Sequence, residues 1–334
     1  MHPGPRGTGA AVSPDFFPLF DRFPALRRIP RVRLCELPSP VQAVDLGNDR
    51  VVWIKRDDLN APECGGNKAR SLEFLLGGLK EGDSVITMGG AGSTHVLSTA
   101  VHAARIGVKA EARRWRQEMN PVAGLVSERV TRMLGRPPGR SASLALLRAR
   151  CSALLRKVRH IPVGGSTPVG VLGHVNAGLE LAAQIERGDL PLPDRIVLPL
   201  ASGGTSAGLL LGLKIAGLDI EVVGARVGPR LFVNRHAVIR LAHRTRALIR
   251  SVAGEDPGDV GGSRFRIVQN VYGGAYGRPL PAALQAANIL QESAGIRLDD
   301  TYSAKAWVAA LDESRSAGSP VLFLLTFDAR CLTN

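Results

Sequence analysis

The chain of 334 residues has few cysteines, few aromatic residues and no long apolar run, and each shortage excludes a class of protein. Its four cysteines form no CxxC pair and lack metal-ligand spacing, which argues against a disulfide framework or a zinc site and favours a reducing compartment. No apolar stretch approaches the roughly 20 residues that cross a bilayer. Residues 1–16 begin with a stretch rich in glycine and proline and lack the apolar segment of a signal peptide, so we predict a disordered tail. We therefore expect a cytoplasmic protein without a membrane partner.

Positive charge is abundant but is not patterned as in a nucleic-acid-binding protein. The formal net charge is +14, yet the basic residues are scattered from Arg27 to Arg330 and never form a run of five or six. Aromatic residues make up 4% of the chain and do not alternate with the basic ones. With 45% hydrophobic and 22% charged residues the composition is that of an ordinary globular protein, and we expect no nucleic-acid partner.

Strand and helix patterns alternate along the chain, which predicts an α/β fold with parallel sheets flanked by helices. A helix is expected over Ser71–Lys80, another from the N-cap Ser93 through Ile106, and a third after the loop Ser202–Gly208. The stretch Arg113–His160 is rich in arginine and contains two consecutive prolines, so we expect an exposed loop there. The predicted strands are 51–54, 84–87, 196–200, 221–225 and 321–325.

The tetrapeptide Gly65-Gly66-Asn67-Lys68 is the most informative local feature. Two glycines allow a backbone to pass close to a ligand, and the lysine that follows carries a primary amine able to condense with an aldehyde. This is the chemistry by which a lysine holds pyridoxal 5'-phosphate (PLP), although a turn followed by a surface lysine gives the same pattern. A second glycine-rich segment, Ser202 to Gly208, has the composition of a phosphate-binding loop, so the two segments together suggest a cofactor held at both ends.

The ordered set of motifs resembles the D-cysteine desulfhydrase and 1-aminocyclopropane-1-carboxylate (ACC) deaminase family of PLP-dependent enzymes. That family has the tryptophan synthase β-like fold, also called fold type II, with two domains. The similarity runs from about Phe17 to Thr326. It is carried by Lys55-Arg56-Asp57-Asp58-Leu59, Gly65-Gly66-Asn67-Lys68, Gly164-Gly165-Ser166, Ser202-Gly203-Gly204-Thr205, Leu298 to Ala306, and Leu324-Leu325-Thr326.

The resemblance implies a cofactor role for residues in three segments. Lys68 would bond to the aldehyde of PLP and later move the α-proton of the substrate, and Asn67 would support the phosphate or the lysine. Thr326 would face the pyridine nitrogen, where a neutral hydroxyl leaves that nitrogen unprotonated. The phosphate would be held at the start of a helix by Ser202, Gly203, Gly204 and Thr205.

The same resemblance places five residues on the substrate side. Ser93, Thr94 and His95 correspond to a segment that takes the substrate carboxylate, with Ser93 placed to act on the substrate. Ser93 as a plain N-cap and His95 as a buried helix residue stay open as alternatives. Tyr276 and Tyr302 match two active-site tyrosines whose phenols would steer or donate protons, and either is equally compatible with the protein core.

The implied reaction is a lyase or deaminase reaction on a small β-substituted amino acid. Ser303 follows the second tyrosine where ACC deaminases have glutamate, which favours D-cysteine desulfhydrase-like β-elimination to pyruvate and ammonia over ring opening. Thr94 replaces an asparagine, and Phe327-Asp328 replaces Gly-Gly. Either the phenyl ring lies beside the cofactor and reduces the space for a small substrate, or Phe327 packs in the core and Asp328 lies in solvent. A PLP-dependent transferase or racemase of a specialised pathway, and a catalytically weak PLP-binding protein, remain as alternatives.

The family's layout predicts a large PLP-binding domain made of residues 17–65 and 191–334 and a small domain made of residues 66–190. PLP would lie between the two domains. The resemblance also implies a homodimer.

Overall fold

The computed structural model describes residues 15–48, 50–231, 233–316 and 320–332. Only the last two residues of the predicted tail, Asp15 and Phe16, fall within them. The described residues form two β-sheets with helices around them, as the alternating sequence pattern predicts. None of the helices found there has the length and apolar character needed to cross a membrane.

The larger sheet has six strands in the order β1-β2-β9-β6-β7-β8. Its strands are β1 (Val41–Asp45), β2 (Val51–Arg56), β6 (Arg195–Leu200), β7 (Glu221–Arg226), β8 (Phe265–Val268) and β9 (Val321–Leu325). Only the β1–β2 pair is antiparallel; the other pairs are parallel. The smaller sheet is parallel, with the order β4-β3-β5, and consists of β3 (Ser84–Gly90), β4 (Lys109–Trp115) and β5 (Arg159–Ile161).

Helices cover the sheets and supply most of the connections between parallel strands. They are α1 (Pro18–Arg22), α2 (Asn67–Leu75), α3 (Thr94–Arg105), α4 (Pro121–Leu134), α5 (Ala142–Arg156), α6 (Pro168–Glu186), α7 (Gly204–Ile215), α8 (Arg235–Ala253), α9 (Pro281–Ala294) and α10 (Ser303–Ser316). The helices α3, α4, α5, α6 and α8 begin after a Ser, Thr or Asn whose side chain accepts a hydrogen bond from the first turn.

The core divides into layers on the two faces of the larger sheet. Along β9 the side chains alternate, so that Leu322 and Leu324 pack with α6, α7 and α8, whereas Phe323 and Leu325 pack with α9 and α10. All five residues of β9 are buried, which is typical of a parallel strand covered on both faces. A central strand of this kind holds its carboxyl end rigidly, and Thr326 follows at that end.

Four buried charged residues fix the first turn of α2 to the rest of the molecule. Glu180 on α6 lies 2.7 Å from the amine of Lys55 and 2.8 Å from the guanidinium of Arg70. Arg70 also pairs with Asp57 at 2.6 Å, and each of the four side chains is at most 2% exposed. Because Arg70 lies two residues after Lys68, this cluster positions the helix turn that carries the predicted cofactor lysine.

The exposed loop expected within residues 113–160 lies at residues 136–140, with the two prolines, and most of the stretch forms the helices α4 and α5. Two expectations about helix bounds are corrected. Helix α2 stops at Leu75, before the predicted end at Lys80, because the chain turns through Gly77 and Gly78. Helix α7 already begins at Gly204, so half of the predicted loop 202–208 belongs to the helix.

The division into a large and a small domain stays a prediction. The three strands of the smaller sheet fall within residues 66–190, and the six strands of the larger sheet fall within 17–65 and 191–334.

Candidate active site

The turn before Lys68 is held tightly against the strand end at Thr326. Gly66 has φ +129°, a conformation that favours glycine, and a Cβ there would lie 2.3 Å from the carbonyl oxygen of Thr326. The amide of Asn67 donates to the same carbonyl at 3.0 Å, and the amide of Asp328 donates to Gly65 at 3.1 Å. A Cβ on Gly65 would lie 2.3 Å from the carbonyl oxygen of Asp58, so close backbone contact requires both glycines. Lys68 follows as the second residue of α2.

The helix α7 presents an open amino end directly after β6. Gly203 precedes it with φ +83°, and no side chain of the described residues caps its first turn. Ser206 in that turn is buried, and its hydroxyl lacks a hydrogen-bond partner within the described part of the chain. Unpaired amides together with the helix dipole make such an end suitable for an anion.

Hydrogen bonds and close contacts bring the lysine turn and the start of α7 together. The side-chain Nδ2 of Asn67 donates to the Thr205 hydroxyl at 2.8 Å. The amine of Lys68 lies 3.5 Å from the carbonyl of Gly164, and a Cβ on Gly164 would lie 2.3 Å from the hydroxyl of Ser202. The predicted residues of both segments thus meet although they are more than 130 residues apart in the chain.

Burial reduces the positive charge on the amine of Lys68. Burial lowers the pKa of Lys68 from 10.5 to about 8. Burial, together with the charge of Lys68, lowers the pKa of His95 to about 3, and the same two causes lower the pKa of His174. Both imidazoles are therefore neutral at ordinary pH, and the lysine is ready to act as a nucleophile or base.

The three predicted substrate-side residues of α3 lie together at its amino end, in different settings. The hydroxyl of Ser93 accepts from the amide of Val96, so Ser93 is an N-cap in this structure. Thr94 hydrogen-bonds the phenol of Tyr302. The Nε2 atom of His95 lies 3.0 Å from the hydroxyl of Thr87, so His95 has a protein partner on the β3 side.

The two predicted tyrosines contact each other through their hydroxyl groups. Tyr276 and Tyr302 share a hydrogen bond, and their rings meet edge to face. Burial raises the pKa of Tyr276 to about 12 and also raises that of Tyr302. Both phenols are therefore protonated at neutral pH and are suited to donate a proton.

Two residues that support the tyrosines, Asp299 and Asn120, were not among the predicted site residues. The carboxylate of Asp299 accepts hydrogen bonds from the amides of Thr301, Tyr302 and Ser303, at 2.7 to 3.0 Å. The side chain of Asn120 donates to the carbonyl of Gly277 and to the hydroxyl of Thr301, both at 2.8 Å. Their sequence signal is weak because Asp and Asn before a helix usually serve as caps, and Asn120 also caps α4.

Of the two placements expected for Phe327, the structure has the one in the core, and Asp328 is buried instead of lying in solvent. Phe327 is buried in a hydrophobic cluster with Cys64, Val96 and Leu97, and Asp328 is buried and paired with Arg330 at 2.7 Å. The phenyl ring thus packs beneath α3 and contributes to the core.

Comparison with known proteins identifies the family to which the chain belongs. The family described as "Pyridoxal-phosphate dependent enzyme" matches residues 32–326. The chain belongs to this family. Within it, the relatives place the chain in the D-cysteine desulfhydrase and ACC deaminase group of fold type II.

The individual relatives carry different names. "Nocardicin C-9' epimerase" of Nocardia uniformis subsp. tsuyamanensis is 38% identical over 319 residues, which cover 90% of this chain and 94% of the relative. "D-cysteine desulfhydrase" of Salmonella newport is 30% identical over 330 residues, covering 92% and 96%. A solved "ACC deaminase homologue" has a TM-score of 0.75 at 29% identity, covering 93% and 94%. A solved threonine deaminase, at 18% identity and TM-score 0.61, shares the fold.

The residues of the site fit PLP, the cofactor of this enzyme family. The open end of α7 and the unpaired hydroxyl of Ser206 suit the phosphate, and the buried amine of Lys68 suits the aldehyde. No group of three or more potential metal ligands occurs among the residues described, so nothing in this part of the chain suggests a metal centre.

Proposed function

We propose that this PLP-dependent enzyme epimerises an amino acid by removing the α-proton and returning one to the opposite face. The observation that carries the proposal is the combination of a buried amine and a protonated phenol pair on different elements. Lys68 has a pKa of about 8, and the Tyr276–Tyr302 pair is held protonated by burial. One group is suited to accept a proton and the other to donate one.

The residues of the site divide into those that would hold PLP and those that would transfer protons. PLP, when bound, draws electrons from the α-carbon of an amino acid and so makes its proton removable. The Lys68 amine would accept that proton. Asn67, Thr205 and the first amides of α7 would hold the phosphate, and Thr326 at the end of β9 would face the pyridine ring.

Thr94 and Asp299 would hold the proton donor in place. Thr94 replaces the family's usual asparagine and hydrogen-bonds Tyr302, and Asp299 accepts from the amide of the same tyrosine at 2.7 Å. The phenol is thus tied to the α3 end, where the substrate carboxylate is expected to bind. The identity of 38% with a relative named as an epimerase, against 30% with a desulfhydrase, supports the same outcome.

Exchange in deuterium oxide tests the proposal. Single enantiomers from a panel of amino acids are incubated with the PLP-loaded enzyme, and chirality and deuterium content are measured by chiral chromatography with mass spectrometry. We expect the opposite enantiomer to appear with solvent deuterium at the α-carbon. Pyruvate and ammonia as the main products, without inversion, would contradict epimerisation.

The second candidate is β-elimination from a cysteine-like amino acid. Ser303 follows Tyr302 where ACC deaminases have glutamate, and its amide is bound to Asp299 at 3.0 Å. The same phenol pair would then protonate the leaving group. Release of pyruvate and sulfide from D-cysteine, faster than any inversion, would favour this candidate, and release of 2-oxobutanoate from ACC would favour ring opening.

Two further expectations are proposals. We propose that the enzyme is cytoplasmic, as its unpaired cysteines and the lack of a long apolar run suggest, and that it is a homodimer, as the resemblance implies. A monomeric sedimentation profile at micromolar protein concentration would contradict the dimer.

A further inference from the structure

Two cysteines that lie far apart in the sequence meet beside the lysine turn. The sulfur atoms of Cys64 and Cys331 are 3.0 Å apart, and both residues are free thiols. Cys64 is fully buried and Cys331 is 4% exposed. Cysteine spacing in the sequence gave no sign of this pair, because 267 positions separate its members.

Cys64 immediately precedes the glycines that lead to Lys68. Its backbone has φ +51°, a left-handed conformation that is uncommon for residues with a side chain. Cys331 lies in the short 3-10 segment Ala329–Leu332. A bridge between Gly66 and Phe327 already joins the turn to the residues just before this segment.

The surroundings isolate the pair from other thiols. The two cysteines share a hydrophobic cluster with Val96, Leu97 and Phe327, under the helix α3. Cys35 lies in a different cluster, and Cys151 is exposed on α5. Contact with Cys331, together with burial, raises the pKa of Cys64, so its thiol stays protonated, and Cys331, the more exposed of the two, is the sulfur that meets an oxidant first.

We propose that Cys64 and Cys331 are a modification site, a dithiol that oxidises to a disulfide and ties the turn carrying Lys68 to the carboxyl-terminal segment. With a peroxide as the oxidant, one S–S bond forms, the O–O bond breaks, each sulfur gives up one electron, and the two thiol protons leave in two water molecules. A thiol reductant reverses the bond. The disulfide closes a long loop, so it stabilises the folded chain chiefly by restricting the unfolded one.

The test uses the full-length, PLP-loaded protein carrying Cys151→Ser, so that the exposed thiol forms no intermolecular bond. The protein is treated with hydrogen peroxide, denatured, alkylated and digested. We expect a peptide that links Cys64 to Cys331, and a thermal midpoint that is higher than that of the reduced protein by roughly 3 to 8 °C. Added dithiothreitol should remove both effects.

The matched control is Cys331→Ala, for which we expect neither the linked peptide nor the midpoint shift. If this variant does not fold, the oxidised and reduced forms of the Cys151→Ser protein still provide the comparison. The proposal is overturned if Cys64 and Cys331 both remain open to alkylation under conditions that oxidise Cys151 in the wild-type protein. It is also overturned if Cys64 links to Cys35, or if the linked peptide forms without a change in the thermal midpoint.

Discussion

Removing the charge of Glu180 is predicted to destabilise the fold strongly. Its carboxylate accepts from Lys55 at 2.7 Å, from Arg70 at 2.8 and 3.0 Å, and from the amide of Ser39 at 2.8 Å. In Glu180→Gln, the two buried cations would share the single remaining carboxylate of Asp57. Breaking a buried ion pair in this way costs about 3 to 5 kcal/mol in the free energy of unfolding.

The pKa of Glu180 gives a magnitude of the same size from the same contacts. Its partners Arg70 and Lys55 outweigh the effect of burial and lower the pKa from 4.5 to about 2. This difference corresponds to roughly 3 kcal/mol. Because the folded-state pKa is the lower one, the contribution is fully present above pH 4.5 and is lost as the pH falls through about 2.

Urea denaturation at neutral pH, followed by circular dichroism, measures the effect. The control is Glu128→Gln, which removes an exposed partner of Arg132 and should change the free energy of unfolding by less than about 0.5 kcal/mol. A loss of less than about 1 kcal/mol for Glu180→Gln would refute the reasoning, since it would mean that the buried cations do not depend on this carboxylate.

Three further predictions concern the site itself. Asn67→Ala removes the 2.8 Å hydrogen bond to Thr205 and should weaken PLP retention in equilibrium dialysis by about tenfold, whereas Ser141→Ala at the start of α5 should leave retention unchanged. Tyr302→Phe should lower turnover by about 100-fold or more without loss of PLP absorbance. Tyr272→Phe is the matched control. Equal losses of turnover in the two variants would exclude a specific proton-donating role for Tyr302. The cofactor-free protein should bind PLP covalently at a rate that rises with pH up to about 8, because the neutral amine of Lys68 is the reacting form, and a rise continuing to 10.5 would contradict the lowered pKa.

The main strands and the cofactor segments were predictable because their signals are local. The apolar run 321–325 fits a strand covered on both faces, and the structure confirms strands at all five predicted positions. Ser93 as an N-cap was equally clear, since a serine after Gly89–Gly92 and before an apolar helix pattern satisfies the first amides.

Other features depend on partners that are remote in sequence. The helices α4 and α5 were not predicted because their arginines mask a weak apolar face, which in α5 consists of the small residues Ala145, Ala149 and Ala153. The burial of Phe327 depends on α3, and the meeting of Cys64 with Cys331 depends on the packing of two distant turns. Sequence spacing alone carries no information about such contacts.

Borohydride reduction of the PLP-loaded protein tests the central claim most directly. The treatment makes the bond between a lysine and the cofactor's aldehyde permanent, and peptide mapping then locates it. We predict that the label is found on Lys68 and is absent from Lys68→Ala. A label on Lys55, Lys80 or Lys305 in the wild-type protein would contradict the placement of the active site between the Gly65–Lys68 turn and the start of α7.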